Sequence, residues 1–540
     1  MGRRHALIAL AFLALLVPPV VAVLGAGALE RGLLQWVEDL LQVFSRGATW
    51  RSARFSLVQA AVSAILSVAL ALPGAYYLAN LRFPGRRMAE SLTLLPFVMP
   101  SLIVILAVIS FYGRAGVLNQ LLGTDLRLVY SAAGIILAHV IFNYAVALRI
   151  IAGGWRQIDT RLREVSLSLG ESGGSRLLHL HAPLILPSIL TALAIVFLYC
   201  FVSFGVVLVF GGVQFATLEV RIYQEMFTSL NLSGAGALAL LQLAMCGAVV
   251  ILIQLISETH RRESVAGRRT TVRHWASVRP RVRLACTAYW AVVGLFLFAP
   301  LGSIVLRAFR PGAGWSLRAF QALWTGRIGD REVYEIIRAS FTEILLTSLG
   351  VALLAAVLTV SAALAAARAL RGRTVPWLDT IMRMPLAVSS VTFSLGMRLL
   401  WLGRFPALTL ILLTQAVMAF PLVFGSVRQT VDALPRRYLE AARSLGAPPL
   451  FRIRTVELPV LRRGLVNAFT FAFALSLADF TAILTIGRGE VVTFPVAMYR
   501  LIGFQSFDVA LALGVWYIAL VALAFIVIDS TATGYGRRSS

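Results

Sequence analysis

The chain has 540 residues, of which 59% are apolar and 14% are charged, and its formal net charge is +25. Together with a mean hydropathy of +0.84, this composition excludes a soluble globular protein and indicates a protein of the lipid bilayer. The basic residues are arginines placed between apolar runs rather than along one polar face. The charge therefore predicts membrane orientation and not nucleic-acid binding.

Twelve apolar segments are predicted to cross the bilayer as helices, because each approaches the ~20 residues that span about 30 Å of hydrocarbon. They lie near residues 6–29, 55–81, 91–112, 128–153, 184–210, 235–257, 284–307, 341–370, 376–402, 405–427, 461–486 and 509–529. The first has the flanks of a cleaved signal peptide, but its apolar run is about twice the ~7–15 residues of a signal core, so we expect a retained anchor. The predicted fold class is an all-α polytopic membrane protein.

Arginine-rich stretches set the expected orientation in the cell (inner) membrane. The start of the chain, residues 82–87, residues 258–283 and the end of the chain are basic, and the positive-inside rule places them in the cytoplasm. Both termini are then cytoplasmic. The stretch 305–338 falls outside in this topology despite its arginines.

The two halves of the chain are related by a constant shift of 276 residues, without gaps. Aligned pairs include Glu164 with Glu440, Gly170 with Gly446, Pro183 with Pro459 and Phe204 with Phe480. We therefore predict two tandem six-helix repeats, 1–257 and 284–540, joined by a cytoplasmic linker, 258–283. Parallel repeats of this kind build transporters around a central path.

Each repeat carries one polar segment between its fourth and fifth predicted helices: the first polar segment, 154–183, and the second polar segment, 430–460. In the second, Pro435 predicts a helix start and Gly446 a helix stop, and a second short helix can begin after Pro449. The expected result is a bent two-helix protrusion suited to a groove on a partner protein. An ordinary basic loop is the alternative, but the repetition at identical spacing argues against it.

These segments resemble the EAA signature of ABC importer permeases: Glu-Ala-Ala, three residues, Gly, nine residues, then an apolar residue, one spacer and an apolar-Pro pair. The second polar segment matches throughout, with Glu440, Ala441, Ala442, Gly446, Val456, Leu458 and Pro459. The first keeps Glu164, Gly170, Leu180, Ala182 and Pro183 but has Val165 and Ser166 in place of the alanines. The resemblance implies a type I importer permease fold and a coupling role for these residues.

The resemblance also implies partners for each half. In that family the segment sits in a cleft of an ATP-binding subunit, so two segments imply two such subunits on the cytoplasmic side, together with an extracytoplasmic solute-binding protein and the surrounding membrane lipid. The sequence has no lysine, so a Walker A phosphate loop is absent and ATP hydrolysis is expected in a separate polypeptide. We expect the permease itself to be non-catalytic and to hold no cofactor.

The fifth predicted helix of each half continues from its polar segment and is expected to line the translocation path through Ser203, Phe204, Asp479 and Phe480. Asp479 is costly in lipid, so it is expected to face the interior or to pair with an arginine, and a structural bond between helices is the alternative to a path-lining role. His139 and Asn143 have the same two interpretations, with packing favoured.

Metal binding and catalysis have little support in the sequence. His179 and His181 lack neighbouring ligands, so no metal site is predicted. Cys200, Cys246 and Cys286 lie in or beside apolar spans without paired spacing, and we interpret them as core residues.

Among importer permeases, a single chain with both halves fused resembles the thiamine and ferric-ion branches, and residues 111–123, 134–143, 203–212 and 216–224 are more similar to the thiamine branch. Thiamine or its phosphates are therefore the expected cargo, with ferric ion as the alternative. A gradient-driven secondary transporter would need no partner and would leave the two polar segments without a use. A membrane scaffold or assembly factor would show no solute-stimulated turnover.

Overall fold

The computed structural model describes residues 3–212, 214–261, 272–310, 314–328, 331–372 and 375–533. Residues 262–271 of the predicted linker and both extreme ends of the chain lie outside the described residues. The described part is almost entirely helical, which confirms the all-α fold class.

The helices up to residue 261 are α1 (Arg3–Leu24), α2 (Ala26–Arg31), α3 (Leu33–Ser45), α4 (Gly47–Asn80), α5 (Arg86–Leu92), α6 (Leu95–Val98), α7 (Ser101–Tyr112), α8 (Val117–Leu122), α9 (Ala132–Gln157), α10 (Thr160–Ser168), α11 (Gly173–Arg176), α12 (Ala182–Phe201), α13 (Gly205–Phe210), α14 (Leu218–Phe227) and α15 (Leu232–Arg261). A π-helical turn, Leu177–His181, joins α11 to α12.

The later helices are α16 (Pro280–Phe309), α17 (Arg318–Thr325), α18 (Val333–Ile337), α19 (Phe341–Ala369), α20 (Pro376–Arg383), α21 (Ser390–Trp401), α22 (Ala407–Asp432), α23 (Arg436–Ser444), α24 (Pro449–Arg452), α25 (Leu458–Ala478), α26 (Thr481–Gly487), α27 (Phe494–Gly503) and α28 (Phe507–Thr533). A π-helical turn, Ile453–Glu457, joins α24 to α25, and 3-10 turns lie at Trp275–Ser277 and Met384–Ala387. Strand β1 (Leu81–Arg82) pairs in parallel with β2 (Arg273–His274), and β3 (Arg327–Ile328) pairs antiparallel with β4 (Arg331–Glu332).

Ten helical stretches of the described residues are long and apolar enough to cross a membrane. They are Gly47–Asn80, Ser101–Leu122, Ala132–Gln157, Gly174–Phe201, Leu232–Leu252, Pro280–Phe309, Val333–Ala369, Ala407–Asp432, Ile453–Ala478 and Phe507–Ala524. The first of the twelve predicted spans is present as a shorter apolar helix, Ile8–Leu24.

The prediction of one continuous span over 376–402 is wrong. This stretch is divided into α20, the 3-10 turn and α21, because Pro385 has no N–H for the helical ladder and restricts the residue before it. The predicted span 91–112 is likewise interrupted at Pro100, which precedes α7.

The residues Val37–Arg307 form one compact unit, called the first unit. Its centre is the packing of α4 against α9 and α12. The buried face of α4 is a stripe of small side chains that repeats every three or four residues: Ser56, Ala60, Ser63, Ser67 and Ala71. Small residues at this spacing let membrane helices approach closely.

Met1–Trp36 and Ala308–Ser540 form the second compact unit, called the second unit. Here α19, α22 and α25 pack together, as α4, α9 and α12 do in the first unit. Helix α1 packs against α21, so closely that a Cβ added to Gly396 would lie only 1.9 Å from the carbonyl oxygen of Pro19.

The first helix of each predicted repeat belongs to the unit formed by the other repeat. Helix α16 packs in the first unit, where Tyr289 donates to the carbonyl of Leu70 and its hydroxyl lies 2.7 Å from that of Tyr144. Helix α1 packs in the second unit. The compact units therefore differ from the sequence repeats, whose boundaries at 257 and 284 stay a prediction.

Candidate functional site

The two polar segments have the same backbone plan, residue for residue, at the shift of 276. Helix α10 or α23 ends beside a glycine, a four-residue helix follows, and a π-helical turn leads directly into α12 or α25. The predicted helix start after Pro435, the stop at Gly446 and the second short helix from Pro449 are all present.

Each protrusion turns at a glycine in the left-handed region. Gly170 has φ +71° and Gly446 has φ +73°. Beyond them, Glu171 N–H donates to the carbonyl of Ser166 (3.2 Å), and Ala447 N–H donates to that of Ala442 (3.0 Å). This six-residue bond is the Schellman cap, which favours glycine at its left-handed position.

The two segments hold this turn with different side chains. Ala442 is buried in the second polar segment, and Ser166 occupies the equivalent buried position in the first. The Ser166 hydroxyl donates to a Glu171 carboxylate oxygen and accepts from Nε of Arg176 (2.9 Å), whose Nη2 donates to the Glu171 carbonyl. Hydrogen bonds from Ser166, then from Ser175, lower the pKa of Glu171. The serine that departs from the signature thus has a structural use.

The tip of each protrusion exposes a leucine that the sequence analysis did not assign to the coupling set. Leu169 is 79% exposed and Leu445 is 85% exposed, each directly before the turning glycine. Exposed leucines at equivalent tips are apolar surfaces available to a partner. The signal in the sequence was their alignment in the repeat.

The other predicted coupling residues are spread over the protrusions. Glu164, Pro183, Glu440, Ala441 and Pro459 are exposed, whereas Leu180 and Val456 are half-buried. A Cβ added to Gly170 or Gly446 would meet nothing within 4 Å. The glycines are therefore needed for backbone conformation and not for space.

An ion pair joins each polar segment to a helix that packs beside it. In the second unit, Arg368 Nε at the end of α19 lies 2.9 Å from Oε2 of Glu457, whose side chain is only 12% exposed. In the first unit, Arg156 Nη2 lies 2.9 Å from Glu90 Oε1.

The helices that enter and leave each polar segment approach each other very closely at an equivalent pair of small residues in the two units. A Cβ added to Gly154 of α9 would lie 2.0 Å from Ser188 Oγ of α12. A Cβ added to Gly464 of α25 would lie 2.2 Å from Thr430 Cγ2 of α22. At the shift of 276, Gly154 is equivalent to Thr430 and Ser188 is equivalent to Gly464. The glycine therefore lies on the entering helix in the first unit and on the leaving helix in the second, while the close contact is kept.

The predicted path residues lie at breaks between helices, not within continuous spans. The predicted spans 184–210 and 461–486 are wrong in this respect, because α12 ends at Phe201 and α25 at Ala478. In the second break, Asp479 Oδ1 accepts a long bond (3.5 Å) from Ala482 N–H, which satisfies one free donor at the start of α26.

Equivalent aromatic contacts close the two breaks. The ring centroids of Phe204 and Tyr223 lie 5.2 Å apart, as do those of Phe480 and Tyr499. Ser203 and Asp479 are half-buried at these breaks, each next to its buried phenylalanine. Interrupted helices are how transporters place polar groups at membrane depth.

Asp479 belongs to a polar cluster that joins three positions of the second unit. Gln415 Nε2 of α22 donates to Asp479 Oδ2 (3.0 Å), and Ser476 Oγ of α25 donates to Gln415 Oε1 (2.5 Å). Within the described part of the chain, the side-chain partner of this carboxylate is an amide and not the arginine that was the alternative expectation. One hydrogen bond to a neutral amide orients the carboxylate without neutralising its charge.

The first unit has a polar cluster at the equivalent depth, built from other residues. Asn143 Nδ2 of α9 donates to Cys200 Sγ of α12 (3.3 Å), and Gln59 Nε2 of α4 donates to the Cys200 carbonyl (2.9 Å). His139 lies 3.5 Å from Ser63 Oγ. These are contacts between packed helices, and Cys246 and Cys286 are buried as well.

His179 and His181 of the first polar segment have local partners. His179 lies 3.2 Å from Ser175 Oγ, and the His181 ring lies 5.2 Å from that of Trp155. Among the described residues, no group of three or more His, Cys, Asp or Glu side chains is arranged to hold a metal ion.

Comparisons with known proteins show which family and which proteins this chain is similar to. Residues 71–263 and again 357–538 match the family of the binding-protein-dependent transport system inner membrane component. The chain is 31% identical over 491 residues to the thiamine transport system permease protein ThiP of Brucella abortus (strain 2308), covering 88% of this chain and 87% of that protein. It is 29% identical over 512 residues to the ThiP of Escherichia coli (strain K12), covering 91% of each.

A third relative has the length of one half. The probable sulfate transport system permease protein cysT of Nephroselmis olivacea is 24% identical over 245 residues, which are 44% of this chain and 86% of that protein. The doubled family match and the relatives along nearly the whole length show that the chain belongs to the binding-protein-dependent transport system inner membrane components, the permeases of ABC importers, with two copies fused in one polypeptide.

Proposed function

We propose that this permease imports thiamine or its phosphates, and that two separate ATP-binding subunits drive it through the two polar segments. The single observation that supports the cargo most strongly is the similarity to thiamine transport permeases over about nine-tenths of the chain. The ferric-ion alternative is not favoured by these relatives.

The docking of the ATP-binding subunits is inferred from the two protrusions. Each presents an exposed leucine, Leu169 or Leu445, next to an exposed arm that carries Glu164 or Glu440. A small apolar anchor surrounded by polar residues is typical of a groove-filling contact. The π-helical turns connect each protrusion directly to α12 or α25, so a movement of the partner would reach the helix breaks.

The orientation follows from the charge. The second polar segment has five arginines, at positions 436, 437, 443, 452 and 454, and Arg368 of α19 pairs with its Glu457. The positive-inside rule assigns such segments to the cytoplasm. Both termini are then cytoplasmic, and an extracytoplasmic solute-binding protein delivers the cargo to the opposite side.

Asp479 is proposed to line the path and to meet the cargo. Thiamine is a cation through its thiazolium ring, and the half-buried Asp479 carboxylate is held by the neutral amide of Gln415. A carboxylate among apolar residues attracts a cation more strongly than the same group does in water. Ser203 at the equivalent position is neutral, so this contribution would come from the second half alone.

The test uses sealed vesicles that contain the full chain with both ATP-binding subunits, supplied with the solute-binding protein. Uptake of labelled thiamine, thiamine phosphate and ferric ion is compared with and without ATP. We expect ATP-dependent uptake of thiamine or its phosphate. Uptake that follows an ion gradient without ATP, or uptake of ferric ion alone, would refute the proposal.

Coupling is tested separately with Leu445→Ala and Leu169→Ala. Removing either tip leucine should weaken binding of the ATP-binding subunits and lower ATP-driven uptake by about tenfold, with the fold intact because both side chains point to solvent. Leu402→Ala is the matched control, since Leu402 is also exposed (40%) but lies outside the polar segments. Full uptake in the Leu169→Ala/Leu445→Ala double variant would contradict the coupling role.

A further inference from the structure

An open apolar groove lies in the first unit, and its described lining residues belong neither to the polar segments nor to the helix breaks. Its volume is about 650 Å³, within the range of small-molecule sites. The walls come from the turn after α4, from α5 and from the first half of α16, and include Phe83, Met88, Leu92, Trp290, Gly294 and Leu297.

The floor of this groove is built from two stretches that lie far apart in the chain, near residues 81–83 and 275–290. Leu81, Val278 and Cys286 form a buried cluster, and the parallel pairing of β1 with β2 holds the two connecting stretches together. Phe83 stacks on Trp290, with ring centroids 5.8 Å apart, and lies 6.3 Å from Trp275. The groove is therefore a built feature of the unit and not a gap between loops.

The two stretches of chain that border the groove, called its rim, are strongly basic. Residues 81–92 and 272–283 together contain seven arginines and one acidic residue, Glu90. Arg82 and Arg87 are exposed, and Arg86 is half-buried beside Gly85 and Met88 of the groove wall. Partial burial, and then the positive charge of Arg156, lowers the pKa of Arg86, with Glu90 acting in the opposite direction and Arg82 adding to the lowering. The positive charges are crowded, and an anion placed among them would be stabilised.

The groove also lies at the level where helices leave the hydrocarbon. Helix α4 ends at Asn80 and α16 begins at Pro280, and both belong to stretches long enough to span a membrane. Trp275 and Trp290 line the groove at this level, and the Arg283 guanidinium carbon lies 5.9 Å from the centre of the Trp275 ring. Aromatic rings with adjacent arginines mark the interface between acyl chains and headgroups.

We propose that this groove binds an anionic phospholipid, with an acyl chain along Phe83, Trp290 and Leu297 and the phosphate among Arg82, Arg86 and Arg87. The open apolar floor suits a flexible chain, and the net positive rim selects a negative headgroup over a zwitterionic one. A soluble anion would not need the apolar floor, and an apolar peptide would not need the basic rim.

The test uses the full-length chain in phosphatidylcholine vesicles with rising fractions of either brominated phosphatidylglycerol or brominated phosphatidylcholine, whose bromines quench nearby tryptophans. The difference in fluorescence between the natural chain and Trp275→Phe/Trp290→Phe isolates the groove signal. We expect brominated phosphatidylglycerol to quench this signal at a several-fold lower fraction than brominated phosphatidylcholine does.

Two kinds of variant separate headgroup from chain. Arg82→Gln/Arg86→Gln should reduce the preference for phosphatidylglycerol by up to about thirtyfold, at roughly fivefold for each arginine near the surface. Arg51→Gln/Arg54→Gln is the matched control, because both arginines are exposed at the opposite end of α4.

Gly294→Leu fills the groove without changing charge. A Cβ at Gly294 would meet nothing within 4 Å, so this variant is expected to fold, and it should reduce quenching by both lipids. Equal quenching by the two lipids in the natural chain would overturn the proposal. So would a preference that survives Arg82→Gln/Arg86→Gln, or one that Arg51→Gln/Arg54→Gln reduces by as much.

Discussion

The contact between α22 and α25 at Thr430 and Gly464 offers a test of the repeat in atomic detail. Since the first unit has Gly154 opposite Ser188 at the equivalent positions, the second should tolerate the same arrangement. Gly464→Ser alone inserts a side chain against Thr430. Thr430→Gly/Gly464→Ser recreates the pair found in the first unit.

The expected sizes follow from the distances. At Gly464 an added Cβ lies 2.2 Å from Thr430 Cγ2 and 2.8 Å from its Cβ, whereas carbon atoms pack at about 3.5–4.0 Å. The helices must separate by more than about 1 Å, and such overpacking costs about 1–3 kcal/mol. Thr430→Gly alone costs about 1 kcal/mol because glycine disfavours a helix interior.

The double variant should therefore be about 1–3 kcal/mol more stable than the sum of the two single changes predicts. The measurements are the free energy of unfolding in detergent and ATP-driven uptake in vesicles. Gly425→Ser is the control, since an added Cβ on that glycine of α22 meets nothing within 4 Å. Additive single changes, or a Gly464→Ser variant as stable as Gly425→Ser, would refute the close approach of the two helices.

Three further changes probe the polar segments. Gly446→Val should open the second protrusion to trypsin, since a left-handed β-branched residue costs about 1–2 kcal/mol, whereas Gly446→Asn should change cleavage little; equal cleavage of both would contradict this. Arg368→Gln leaves the Glu457 carboxylate, 12% exposed, without its cation, and should lower the unfolding free energy by about 1–3 kcal/mol, with recovery in Arg368→Gln/Glu457→Gln; no loss in the single variant would contradict it. Glu171 has a lowered pKa, so its stabilisation is present above the ordinary value of 4.5 and disappears as the pH falls through the lower folded value. Ser166→Ala removes the main cause and should reduce this acid sensitivity, measured as the thermal midpoint against pH; an unchanged profile would contradict it.

The helix starts and stops of the polar segments were predictable because proline and glycine residues determine them. Pro435 starts a helix, Gly446 ends it, and Pro449 starts the next one. Each of these residues acts through its own φ or its missing N–H, which requires no knowledge of distant contacts. The constant shift of 276 then transferred the prediction to the first half, where the turning residue is Gly170.

The breaks near the path were not predicted, because hydropathy does not report where a helix ends inside the bilayer. Val202 and Ser203 interrupt α12 without a proline or glycine at the break, and Asp479 was assigned to the middle of a span. The carboxylate instead bonds across to Gln415 and to the next helix. Only the packing of these helices, which involves residues over 60 positions apart, shows that Asp479 stands at a junction.

The sequence also did not predict which compact unit α1 and α16 pack against. An apolar run predicts a span from its length, but any neighbouring apolar helix can cover it equally well. The choice rests on individual contacts: Gly396 admits the backbone of Pro19, and Tyr289 bonds to the carbonyl of Leu70. These two contacts are not related by the shift of 276 residues, so comparing the two halves of the sequence does not reveal them.

The comparison of the two halves separates what the backbone requires from what the side chains are free to change. The Schellman turn is kept while its buried support changes from Ala442 to Ser166, and the helix contact is kept while its glycine moves from Gly464 to Gly154. The turn and the helix contact are kept although the side chains that support them differ between the halves. Something other than those side chains therefore constrains the backbone. An ATP-binding subunit that binds each protrusion in the same way would supply that constraint.

The helix breaks near the path differ between the halves in charge. The backbone break is kept in both, but Asp479 in the second half corresponds to the neutral Ser203 in the first. The two halves are therefore expected to be equivalent toward their ATP-binding subunits and unequal toward the solute.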